Sequence, residues 1–140
     1  MKNKIFLIIT FFLISCSSSK VEKSENNGDI GIGPIKKVEI SGNIDMNLVN
    51  EGKKIFELKC SACHKLEERY VGPAIKGITK RRKPEWIMNM ILNPIEMTQK
   101  DSTAKQLLSE YLVQMTFQDI KESEARAILE YFRYIDKEEK

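Results

Sequence analysis

The sequence predicts an all-α fold: a small domain of four to five helices. Three observations lead there. Apolar residues recur at helical spacing in several segments after Asp45. Those segments are bounded by proline, glycine or capping side chains. No convincing strand pattern competes with them. The 96 residues from Asp45 to the C-terminus suffice for one small domain and contain no repeat.

Ahead of that domain stand two segments of different character. Lys2 and Lys4 precede an apolar run from Ile5 to Ile14, broken only by Thr10. Residues 1–15 therefore have the charge and length of a secretory signal, and are too short for a spanning helix of ~20 residues. The run ends in Leu13-Ile14-Ser15-Cys16, which resembles the lipobox of bacterial lipoproteins. That resemblance implies lipid attachment at Cys16; the alternative is an ordinary signal with Cys16 a free thiol. Residues 16–44 read as a linker. Ser17 to Gly28 is too polar to build a core. Gly31-Ile32-Gly33-Pro34 and the alternation of Ile35, Val38 and Ile40 suggest a short extended piece lying against the domain. As a flexible coil the linker would reach about 30 Å.

Within the domain, Asp45 is a plausible N-cap for a helix through Leu58, with Leu48, Val49, Ile55 and Phe56 apolar. A loop from Glu67 to about Lys83 is punctuated by Gly72-Pro73 and Gly77. Pro84 opens a helix through Leu92, which Asn93-Pro94 breaks. A further helix spans Thr103 to Leu112. The last runs from Glu122 to Asp136, with Ala125, Ile128, Leu129 and Phe132 on one face.

The first helix leads into Cys60-Ser61-Ala62-Cys63-His64, the C-x-x-C-H spacing of covalent haem attachment. Two thiols one helical turn apart can each add to a haem vinyl group, and the adjacent imidazole then sits under the iron. His64 is the only histidine in the chain. Cysteine use agrees: with Cys16 given to lipid and Cys60 and Cys63 to one haem c, none is left for a disulfide. Zinc would lack a fourth ligand. A thioredoxin-like thiol pair would need a βαβ setting that the helical surroundings do not offer. The 23 Lys+Arg against 20 Asp+Glu give +3, reduced to +1 without Lys2 and Lys4, so nothing points to nucleic acid. A helical domain this small has a meagre core, which a haem would complete.

Taken with these residues, the segment 45–138 resembles a small class I cytochrome c. Gly52 and Phe56 stand eight and four residues before Cys60, the family's spacing for contact with the terminal helix. Ile128 and Tyr131 are their expected counterparts. Val71-Gly72-Pro73-Ala74-Ile75 resembles the family's proximal loop. The resemblance implies that the Pro73 carbonyl accepts a hydrogen bond from His64 and that Ile75 lines the pocket. Arg81 stands where the family places a propionate ligand, although Lys80 to Lys83 also reads as a solvated charge run. Trp86 would offer its indole N–H to a propionate or pack on the haem edge. For the sixth iron position, the absence of a second histidine excludes a bis-histidine haem within one chain. The resemblance points to Met115, in the loop before the terminal helix, with Met97 the runner-up. Met88 and Met90 read as pocket wall. The chain departs from the family in having Thr116 where many relatives have proline, and Lys121 or Ser123 where they cap the terminal helix with Ser or Thr.

Methionine–histidine ligation implies one-electron transfer, not catalysis, and the resemblance implies that it serves a respiratory chain. The partners would be redox proteins, a respiratory oxidase or reductase, docked transiently on the periplasmic side of a Gram-negative envelope. Two alternatives stand beside it. One is a haem enzyme or gas or peroxide sensor with an open or labile distal site; the other is a fixed haem subunit of a larger complex.

Overall fold

The computed structural model describes residues 30–138, six helices with no strand among them. The signal segment, Cys16 and residues 16–29 lie outside the described residues. The helices are α1 (Met46–Lys59), α2 (Ile78–Arg81), α3 (Pro84–Leu92), α4 (Pro94–Lys100), α5 (Ser102–Tyr111) and α6 (Glu122–Lys137). None is long and apolar enough to cross a membrane.

Helix α1 starts where its cap requires. The Asp45 carboxylate accepts the Asn47 and Leu48 amides, supplying two of the acceptors a helix start lacks. Helix α6 starts on Lys121, which brings no capping hydroxyl. There the Glu124 carboxylate reaches back to accept the Lys121 amide at 2.7 Å, half of a capping box.

The two helices cross at Gly52. A Cβ there would fall on the Ala127 carbonyl, so only glycine lets the backbones meet. Beside the crossing, Phe56 packs between Tyr131 and Phe132 at ring-centroid distances of 5.9 and 5.7 Å, as its spacing predicts for Tyr131. Ile128 is fully buried there. A buried charge locks the same joint. Glu130 is 1% exposed, and accepts from Arg126 at 2.7 Å, Arg133 at 2.8 Å and the Asp45 amide at 3.1 Å. Burial pushes its carboxyl up, but those hydrogen bonds outweigh it and hold the group below the usual carboxylate range.

Two features differ from the sequence expectation. Asn93-Pro94 ends α3 but also opens α4, because a proline at the first helical position costs no hydrogen bond. The segment 30–44, placed in the linker although its apolar alternation suggested a piece lying against the domain, packs on the helices along its length. Ile35 is buried in the core. Buried Asn89 of α3 donates to the carbonyls of Ile30 and Ile35 and accepts the Ile35 amide, all within 2.8–2.9 Å. Met97 Sδ accepts the Ile32 amide, Glu85 the Val38 amide, and Arg133 donates to the Ser41 carbonyl.

Candidate functional site

The end of α1 delivers the thiols and the imidazole in one turn. Cys63 and His64 both donate their amides to the Cys60 carbonyl, at 3.0 and 2.9 Å. Cys60 is half-buried, Cys63 exposed, and neither forms a disulfide. Burial pushes the Cys60 thiol up to about 11. A thiol–disulfide exchanger needs the opposite shift, since the thiolate is the attacking species. No three His, Cys, Asp or Glu side chains among the described residues are placed to share a metal ion.

A loop folds back over His64 and fixes its ring. His64 Nδ1–H donates to the Pro73 carbonyl at 3.0 Å, which leaves Nε2 as the unprotonated nitrogen with its lone pair free. The loop is laced to the attachment turn by backbone bonds: Gly72 to the Cys63 carbonyl at 2.9 Å, Ile75 to Lys65 at 3.1 Å, and Lys76 to Leu66 at 2.8 Å. Gly72 is needed because a Cβ would lie 2.5 Å from His64 Cε1. Ile75, three residues on, is buried in the core.

Beyond this loop stands the basic flank. Gly77, at φ 79°, turns the chain into α2. Asp136 of α6 accepts the Gly77 amide at 2.5 Å, the Thr79 amide at 2.9 Å and the Thr79 hydroxyl at 2.6 Å. The Arg81 guanidinium donates to the carbonyls of Lys76 at 2.9 Å and Ala74 at 3.2 Å. Trp86 is buried, and its indole N–H goes to Asp101 at 3.2 Å, a carboxylate that also caps α5 through Ala104. An open cleft of about 490 Å³ runs along Lys80 to Lys83 with Trp86 in its wall. Neither His64 nor Met115 lines it.

Met115 is half-buried in the segment between α5 and α6, at the opposite extreme of regularity. Leu112 (φ 56°) and Asp119 (φ 50°) bracket it in the left-handed region, which costs a side-chain-bearing residue about 1–2 kcal/mol. Among the described residues, no backbone–backbone hydrogen bond involves 113–120. Side chains hold the segment. Thr98 Oγ1 meets Gln114 Oε1 at 2.8 Å, Gln114 Nε2 donates to the Met115 carbonyl at 2.9 Å, and Lys59 Nζ to the Asp119 carbonyl at 3.2 Å. At its entry Arg69 lies over Tyr111, 4.1 Å from the ring centroid. Leu112, Val113 and Phe117 are exposed. Met97 is fully enclosed with its sulfur spent on Ile32, and Met88 is buried core. Met46 is exposed at the start of α1.

The donor set suits a haem: two unbonded thiols one turn apart, an imidazole with Nε2 free for iron, and a thioether in a loop of exposed apolar side chains. Comparison with known proteins agrees. The cytochrome c family profile matches residues 49–136, and the chain belongs to that family. A cytochrome c from Rhodothermus marinus is 44% identical, with a TM-score of 0.76, covering 80% of this chain and 95% of its own. An engineered cytochrome c from the same organism, Rma TDE, gives 0.74 at the same identity, over 79% of this chain and 94% of its own. That engineered protein bound to a carbene intermediate gives 0.71. No curated protein matches. The protein is thus an all-α cytochrome c, an electron carrier whose domain implies one covalently held haem c.

Sequence reasoning missed Asp136, Asn89 and Gln114. The first two act on partners more than 50 residues away, beyond any local spacing rule. Gln114 sits beside the candidate ligand, but a lone glutamine carries no motif.

Proposed function

We propose that Cys60 and Cys63 hold the haem by thioether bonds, that His64 and Met115 are its axial ligands, and that the protein passes single electrons in a respiratory chain. The observation that carries this reading is the His64–Pro73 hydrogen bond, which fixes the tautomer a metal-binding histidine needs. Haem, when bound, supplies the Fe(III)/Fe(II) couple. Pro73 keeps the proton on Nδ1 and raises the basicity of Nε2. Met115 offers a thioether, a ligand that raises the reduction potential. Arg81 uses two of its five N–H donors on backbone carbonyls, and those that remain suit a propionate. Trp86 serves as packed wall, its N–H being engaged by Asp101.

Attachment to the membrane through a lipid on Cys16, on the periplasmic side of a Gram-negative envelope, belongs to the same proposal. Its support is the lipobox-like Leu13 to Cys16. With residues 30–44 bound to the fold, the tether is the shorter stretch 16–29. Cys16→Ser is expected to move the protein from the membrane to the soluble fraction with an unchanged haem spectrum; continued retention would remove the anchor from the reading.

A redox titration with ferric spectra tests the ligand pair. Low-spin haem with the weak near-infrared sulfur band is expected, and Met115→Ala should lose the band, turn high-spin and fall in potential. The second reading, an open or labile distal site, draws on the irregular Met115 segment and on the carbene-bound engineered relative. A high-spin wild-type spectrum with fast carbon monoxide binding would favour it.

A further inference from the structure

We propose that Gln114 is a positioning residue that holds Met115 at the iron by tying its backbone to buried Thr98; the inference rests on Met115 being the distal ligand. The atoms allow one polarity. The Met115 carbonyl can only accept, so the Gln114 amide nitrogen must face it, at 2.9 Å. The amide oxygen therefore faces Thr98 and must accept, which commits the single hydroxyl hydrogen of Thr98 to Gln114 at 2.8 Å. The carbonyls of Pro94 and Ile95, each 3.0 Å from the same hydroxyl, are left as second choices.

Thr98 is the fixed end of this link. It is 6% exposed, next to fully enclosed Met97. The other polar ties of the segment are peripheral. Lys59–Asp119 and Gln118–Thr116 lie at the surface, where water competes for each bond. Ile120 buries its far end, five residues beyond Met115. Between Leu112 and Ile120, Gln114 is thus the residue that joins the segment to the interior.

A thioether is a weak ligand, and an incoming ligand competes with it. How often the sulfur is displaced depends on its effective concentration at the iron, which a tethered loop raises and a slack one lowers. Releasing Gln114 enlarges the fraction of molecules with the sixth position open, and the apparent affinity for an added ligand rises in proportion.

The test is imidazole binding to the ferric holoprotein, followed by loss of the near-infrared sulfur band. Gln114→Leu is expected to tighten imidazole binding roughly five- to tenfold, the scale of one hydrogen-bonded link. Thr98→Val should give a smaller gain in the same direction, and Thr98→Ser, which restores the hydroxyl, should return to wild type. Thermal melts accompany each variant, since a purely structural role would lower the melting temperature and leave imidazole affinity alone. Wild-type affinity in Gln114→Leu, with the band lost in Met115→Ala, overturns the role of Gln114 and spares the ligand assignment. A band that survives Met115→Ala overturns both.

Discussion

The two sides of the candidate iron site are built by opposite means. On the imidazole side, residues 60–77 are laced by short-range backbone bonds, and a carbonyl fixes the ring. On the thioether side, residues 112–121 have left-handed residues near both ends and are held by side chains. Backbone bonding leaves little freedom once the turn is formed. Side-chain bonding lets a segment open without unfolding its neighbours. Under the proposed assignment, the contrast places rigidity where the haem would be bound covalently and adjustability where a thioether would compete with other ligands.

The largest expected effect breaks the comparison altogether. Cys60→Ser with Cys63→Ser should leave a chain without covalent haem, detected by loss of haem absorbance after denaturing separation, and an unstable one by thermal melt. Next comes a change that weakens both sides at once. Glu130→Gln removes a carboxylate that joins α6 to the start of α1, and should cost about 2–3 kcal/mol in denaturant unfolding. Because the folded protein holds Glu130 below its ordinary range, its contribution is fully present above the unfolded carboxyl value of about 4.3. It is lost as pH falls further, so wild type and Glu130→Gln should converge in stability in acid. The smallest effect sharpens the contrast. Gly72→Ala presses a methyl against His64 and should cost about 1–2 kcal/mol, with a shift in potential and the sulfur band retained. A lost band in Gly72→Ala would mean that the two sides are coupled.

The same difference explains what the sequence revealed. The helix starts at Asp45 and Pro84 rest on local spacing, whereas the crossing through Gly52 and Phe56 and the Pro73 partner of His64 came through the family resemblance. Their causes lie within a few residues, or in a packing rule that a glycine and an aromatic announce. Helix α4 escaped because Asn93-Pro94 carries two meanings, stop and start, and only packing around Met97 and Thr98 selects the second. The strap 30–44 was legible as a short piece lying against the domain, but its anchor was not, because Asn89 is more than 50 residues downstream. A buried asparagine within a helix has no periodic signature. Met115 was singled out through the resemblance, by its place before the terminal helix, whereas its tie to Thr98 depends on how α4 turns.

The strap also decides how the molecule carries a load. The chain enters the fold at Ile30, on a hydrogen bond from Asn89 of α3, and reaches α1 only after passing Val38 on Glu85 and Ser41 on Arg133. Tension arriving from the N-terminus is therefore spent on α3 and α6 before it reaches α1, the helix that leads into Cys60 and His64. Were the proposed anchor at Cys16 to pull on it, the domain would swivel as a unit, with the candidate haem site shielded from the strain.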